Sequence, residues 1–193
     1  MSFKIVNEDI TKMVVDAIVN AANTGLKMGG GVCGAIFRAA GADELTKSCY
    51  DLAPIDTGEA VITDGFNLKA KYIIHTAGPV YNPNNDEESV RLLENSYKNS
   101  LILAKKNYVS SLAFPLISAG IYGFPKIKAF EIAKETIENF LKENDMDVYL
   151  TIVDKEIIIL LKLLAGISLD ILGSFDLYYH ISAFNHFLDI LYI

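Results

Sequence analysis

Apolar and polar positions fall into short blocks along the 193 residues. The runs at 3–6 and 17–19 are apolar and rich in β-branched residues, with polar neighbours at both ends, which is the pattern of buried strands. Between them, Asn7-Glu8-Asp9 is turn-prone. After Asn20 the sequence AANTGLKMGGG is dense in Asn and Gly, residues that tolerate positive φ, and it reads as a loop. Val32, Ile36, Ala39 and Ala40 then recur at helical spacing over 32–40, with Gly41 as a C-terminal stop. The order is strand, glycine loop, helix.

The same reading predicts a short helix over 42–52, strands over 59–63 and 71–75, and an amphipathic helix over 87–105. An apolar run at 112–116 leads into Ile117-Ser118-Ala119-Gly120-Ile121-Tyr122-Gly123-Phe124-Pro125, a second loop of small residues. Ile127, Phe130, Ile132, Ala133, Ile137, Phe140 and Leu141 mark a helix over 126–141, and 148–153 reads as a strand. Strands that alternate with helices predict an α/β fold of three layers, α/β/α, around a central mixed and largely parallel sheet. Ligands of such sheets sit beyond the C-terminal ends of the strands. Both glycine loops come directly after strands, so the pattern predicts that they converge there.

From residue 163 onward the pattern changes. No Lys or Arg occurs, only Asp170, Asp176 and Asp189 carry charge, and aliphatic and aromatic residues dominate. This divides the chain into a domain over 1–162 and an apolar tail over 163–193. The run at 157–172 is interrupted by Lys162, Gly166 and Asp170, a poor fit to the roughly 20 residues of a membrane span, so docking on the domain or a partner is favoured over insertion.

Charge narrows the chemistry. With 17 basic against 24 acidic residues and a pI near 4.9, the chain lacks the footprint of a nucleic-acid binder. Any phosphate must be held locally, and backbone N–H groups at a helix start do that without net positive charge. The two cysteines, Cys33 and Cys49, form no CxxC pair and no disulfide framework, and MSFKIVNEDITK lacks the apolar core of a secretory signal. Both observations favour a reducing, cytoplasmic setting.

Val19 to Asn23 reads VNAAN, and Gly29-Gly30-Gly31 precedes a helix. Consecutive glycines let a backbone approach a diphosphate closely, while Asn20 and Asn23 offer donors and acceptors suited to ribose hydroxyls. The segment lacks the Gly-Lys-Ser/Thr of a P-loop and is not GxGxxG. In the second loop, Tyr122 or Phe124 is placed to cover a sugar. His75 lies in an apolar strand and reads as a satisfied structural residue, and Cys49 as a core residue. His180 and His186 have no Cys or His partner at zinc-ligand spacing, so no metal is expected.

Three blocks carry a family resemblance: NEDITKMVVDAIVNAANTGLKMGGGVCGAIFRAAG, KYIIHTAGPVY and AFPLISAGIYGFP. In this order they resemble the signature segments of macrodomains, particularly the MacroD-type branch, over about residues 1–153. The resemblance implies a cleft for ADP-ribose and no cofactor, with ADP-ribose or ADP-ribosylated protein as partner. It implies that Asp9 accepts a hydrogen bond from the adenine amine with Ile10 alongside, and that Asn23 contacts the distal ribose. Gly30, Gly31 and Val32 would hold one side of the diphosphate, and Ser118, Ala119, Gly120, Ile121 and Tyr122 the other.

One departure bears on catalysis. MacroD-type hydrolases commonly carry Asp after the Gly-Val step, an acid assigned to activating water, and this chain has Cys33 there. A carboxylate serves as a base near neutral pH, whereas an ordinary thiol, with a pKa of about 8.5, stays largely protonated. Three readings of Cys33 stand open: a packing residue, a nucleophilic or redox-sensitive thiol, or a neutral wall residue in an enzyme whose water is oriented by substrate diphosphate and Asn23. Two functions therefore stand open as well, a hydrolase of ADP-ribosyl linkages or of O-acetyl-ADP-ribose, and an ADP-ribose-binding module without turnover. An unrelated phosphate ester is a third, since glycine loops are generic.

Overall fold

The computed structural model describes residues 2–164, so the expectations for the apolar tail fall, beyond residue 164, outside the described residues. Six strands form one sheet: β1 (Ser2–Val6), β2 (Ala17–Ala22), β3 (Ala60–Asp64), β4 (Tyr72–Ala77), β5 (Ser111–Pro115) and β6 (Asp147–Thr151). Five helices accompany them: α1 (Gly31–Ala40), α2 (Ala42–Tyr50), α3 (Asp86–Lys106), α4 (Lys126–Leu141) and α5 (Lys155–Leu164). The strand order is β1-β6-β5-β2-β4-β3. All neighbours pair parallel except β3 with β4, so the sheet is mixed and largely parallel as the pattern predicts.

The period of two along each strand builds the layers. Val19, Ile74, Leu112 and Phe114 join Leu93, Tyr97 and Leu101 of α3 and Phe130, Ala133 and Ile137 of α4 in one core. Their strand neighbours Ile18, Ile73 and Ala113 face the other way, onto Ile36, Phe37 and Ala40 of α1 and Leu45 and Cys49 of α2. Alternating side chains of one strand thus serve both cores, which is why 17–19, 72–74 and 112–115 are apolar at every position instead of every second one.

Most boundaries shift by a residue or two from the pattern, and two departures bear on the site. β2 continues through Asn20 to Ala22, because Asn20, Ala21 and Ala22 stay in register with His75, Thr76 and Ala77 of β4. Beyond Asn7-Glu8-Asp9 the chain forms a 3-10 turn, Ile10–Lys12. Asp9 caps it, its Oδ1 accepting from the Thr11 N–H at 3.0 Å and the Thr11 hydroxyl at 2.7 Å.

Candidate ligand-binding cleft

Because β1, β6, β5, β2 and β4 run parallel, their C-terminal ends share one edge of the sheet, and a cavity of about 720 Å³ lies there. Its walls come from the ends of these strands and the segments just beyond them: Asp9 and Ile10 after β1, Ala21 to Asn23 at the end of β2, Gly78 after β4, Ile117 after β5, and Ile152, Val153 and Asp154 after β6. Gly29, Gly30, Gly31, Val32 and Cys33 line it on one side, and Ser118, Ala119, Gly120, Ile121 and Tyr122 on another. The two glycine loops therefore converge. A Cβ placed on Gly30 would stand 3.0 Å from Ile121 Cδ1, so the loops touch across the mouth.

Each loop has a shape that frees backbone amides. Gly30 is the N-cap of α1 and brings no side chain to the first-turn N–H groups, and Gly31 takes φ +56°. The positive end of α1 is left to the cavity. In the other loop the Gly123 N–H donates to the Gly120 carbonyl at 3.0 Å and the Phe124 N–H to the Ser118 carbonyl at 3.1 Å. Ser118 sits at φ +62°, and its buried hydroxyl has no hydrogen-bond partner among the described residues. A buried hydroxyl of this kind is completed by water or by a ligand's polar atom.

At the rim, the side chain of Asp9 is about half exposed, with Lys12 Nζ 3.5 Å from Oδ2. The hydrogen bond from the Thr11 hydroxyl, ahead of Lys12, holds its carboxyl below the usual carboxylate range, so it is an ionised acceptor near neutral pH. Asn23 shapes the turn after β2: its Nδ2 donates to the Lys27 carbonyl at 2.6 Å and its Oδ1 accepts from the Lys27 N–H at 3.1 Å. One N–H and one lone pair of that amide are left over.

The Macro domain family model matches residues 19–133, a span that includes both loops. The chain belongs to the macrodomain family. It is 45% identical over 159 residues to the O-acetyl-ADP-ribose deacetylase of Salmonella newport, covering 79% of this chain and 88% of that protein. Among solved structures it resembles the Oceanobacillus iheyensis macrodomain with ADP, at 44% identity and TM-score 0.75, covering 79% of this chain and 83% of that one. The Trypanosoma brucei macrodomain in complex with ADP-ribose matches at 36% identity and TM-score 0.72, covering 80% and 65%.

Within this macrodomain two expectations fail. Asn20 does not reach the cleft: it is fully buried in β2, where its Nδ2 meets His75 Nδ1 at 3.0 Å. The strand extends past it because the register with β4 buries the pair together. Phe124 is not free to cover a sugar either, since it is buried and its ring packs 4.9 Å from that of Tyr81. Tyr122, half-buried, does line the cleft. Cys33 lies on the wall with its Sγ 3.7 Å from the Lys27 carbonyl and 3.8 Å from Asn20 Nδ2.

His75 is structural, as its sequence context suggests. Asn20 offers an N–H to Nδ1, so Nδ1 accepts and Nε2 carries the proton toward Thr63 Oγ1, 3.0 Å away. Burial pushes its pKa down to about 4. An unfolded His titrates near 6.5, so below that pH the unfolded chain binds the extra proton and stability falls until pH reaches about 4. Between pH 7 and pH 5 the free energy of unfolding in urea is expected to drop by about 2 kcal/mol from this group. His75→Gln removes that increment, and an identical pH slope in the variant would refute the assignment.

Burial also raises the Cys49 thiol to about 11, with Cys33 nearby adding to the shift, so Cys49 stays protonated in the core. Sequence reasoning missed the wall after β6. There Asp154 is gripped by Lys126 at 2.6 Å and accepts from the Ile157 N–H at 3.3 Å, which shapes the entry to α5. Gly78 was missed too: a Cβ on it would lie 2.4 Å from Ser118 Oγ and 2.5 Å from Ile117 Cγ2, so only glycine lets β4 end against the second loop. Among the described residues no group of His, Cys, Asp and Glu is placed to hold a metal ion, and no helix is long and apolar enough to cross a membrane.

Proposed function

We propose that this macrodomain binds ADP-ribose in the cleft and hydrolyses ADP-ribosyl linkages, on protein side chains or in O-acetyl-ADP-ribose. The observation that carries the reading is the meeting of the α1 N-terminus with the 118–122 loop over one cavity. Amides and a helix dipole approach a diphosphate there without the repulsion that a net charge of −7 imposes elsewhere. Gly30, Gly31 and Val32 take one side of the diphosphate, and Ser118 to Tyr122 the other. Asp9 accepts from the adenine amine beside Ile10. ADP in the Oceanobacillus structure and ADP-ribose in the Trypanosoma one support the ligand, and the Salmonella deacetylase supports the reaction class.

Neither carboxylate in the lining belongs to the two glycine loops, and Asp154 is already paired with Lys126. Catalysis then rests on placement. The substrate diphosphate and the spare valences of Asn23 hold a water against the distal ribose C1″ or the acyl carbonyl. The water oxygen forms the new bond as the linkage to the side chain, or to the acyl group's ribose oxygen, breaks; the bonding pair leaves with the departing atom, which takes up the proton that the water gives up. Cys33 serves as a neutral wall residue. Calorimetric titration with ADP-ribose and release assays on mono-ADP-ribosylated protein and O-acetyl-ADP-ribose test this. Cys33→Ala is expected to keep release within about threefold, and Asn23→Ala to lose about 30-fold, of the order that an orienting group contributes.

Cys33 itself favours a second reading, a module that binds without turnover. Binding with no release from either substrate would establish it. Loss of release in Cys33→Ala as well would instead make the thiol a participant.

A further inference from the structure

The segment between β4 and α3, residues 78–85, touches the second glycine loop at three places. Gly78 packs against Ile117 and Ser118, the Tyr81 N–H donates to the Tyr122 carbonyl at 2.9 Å, and the Tyr81 ring lies on Phe124. The Tyr81 hydroxyl then donates to Asp86 Oδ1, 2.9 Å away at the start of α3. The other oxygen of Asp86 accepts from Lys128 in the first turn of α4, the helix into which the loop runs. Chain and side chains thus close a circuit: loop, Tyr81, Asp86, Lys128, α4, loop.

The loop has reason to need bracing. Ser118 is held at positive φ, a conformation that L-residues resist, and the loop amides can serve an anion only if they already point one way. We propose that Tyr81 is a positioning residue, which through Asp86 and Lys128 fixes the 118–122 loop in its ligand-binding shape before ligand arrives. The ordering cost is then met on folding instead of on binding, and loss of the brace appears as faster dissociation. The inference rests on the ADP-ribose reading for its ligand, though not for its effect on the loop.

Tyr81→Phe keeps the ring and the backbone bond and removes the hydroxyl link, so folding survives it. Asp86→Ala breaks the same link from the other side. Each variant is expected to weaken ADP-ribose about fivefold, mainly by faster dissociation, and the double variant to be no weaker than Asp86→Ala alone. In the free protein, hydrogen exchange at amides 119–123 should quicken several-fold in both variants, with α2 unchanged. Unaltered loop exchange, or fully additive losses of affinity, would overturn the proposal. So would faster exchange spread across α3 and α4 with a lowered thermal midpoint, since that marks general loosening. Should the parent protein fail to bind ADP-ribose, the ligand reading falls, while the exchange comparison still decides the brace.

Discussion

Gly30→Glu is expected to fold like the parent and to show no ADP-ribose binding by calorimetry, a loss of about 1000-fold or more. The backbone at Gly30, φ −82° and ψ −178°, is extended and open to any residue, so no strain opposes the change. The nearest atom to a new Cβ is Ile121 Cδ1, the movable end of an exposed side chain. Stability should therefore hold. The carboxylate, however, enters the gap between the loops, where the diphosphate is expected. Two like charges about 4 Å apart at an effective dielectric of about 20 repel by about 4 kcal/mol, which corresponds to that factor. A parent-like circular dichroism melt with retained affinity would displace the ligand from this cleft.

Gly34→Ala should do damage of another kind, lowering the thermal midpoint by several degrees and weakening ADP-ribose about 100-fold. Helix propensity alone argues the opposite, since Ala in place of Gly in a helix interior gains about 1 kcal/mol. Packing overrides it: the new Cβ would lie 2.4 Å from the Gly29 carbonyl oxygen, a backbone atom of the glycine loop, with Arg38 Nη1 at 3.0 Å. Either α1 or the loop must shift, at a cost of about 1–3 kcal/mol. The shift falls on the amides expected to face the ligand, and displacements near 1 Å are enough to cost a factor of this order. A melting curve and titration both like the parent's would show that α1 and the loop do not meet so closely.

Much of the layout was legible because it is local. The α4 bounds, 126–141, come from apolar spacing, and both glycine loops announce themselves by composition. The failures are non-local. Asn20 looks like a loop residue because a polar side chain interrupts an apolar run, and its burial depends on His75, 55 positions away. Phe124 looks free until Tyr81 is placed upon it. The wall after β6 depends on β6 lying between β1 and β5, and no periodicity along a chain encodes the lateral order of strands. Asp154 carried the same strand-end signal as Asn23, but without that order nothing assigned it to the same rim.

The antiparallel edge strand β3 has a further consequence. Its direction sends its C-terminal end to the far side of the sheet, so it adds nothing to the rim built by the other five. Substitutions in the turn beyond Asp64 can thus alter surface or partner preference while the pocket's chemistry stays as it is. Conversely, the five contributing ends belong to neighbouring strands of one sheet, so the spacing of the rim is set by strand pairing and not by the loops that follow.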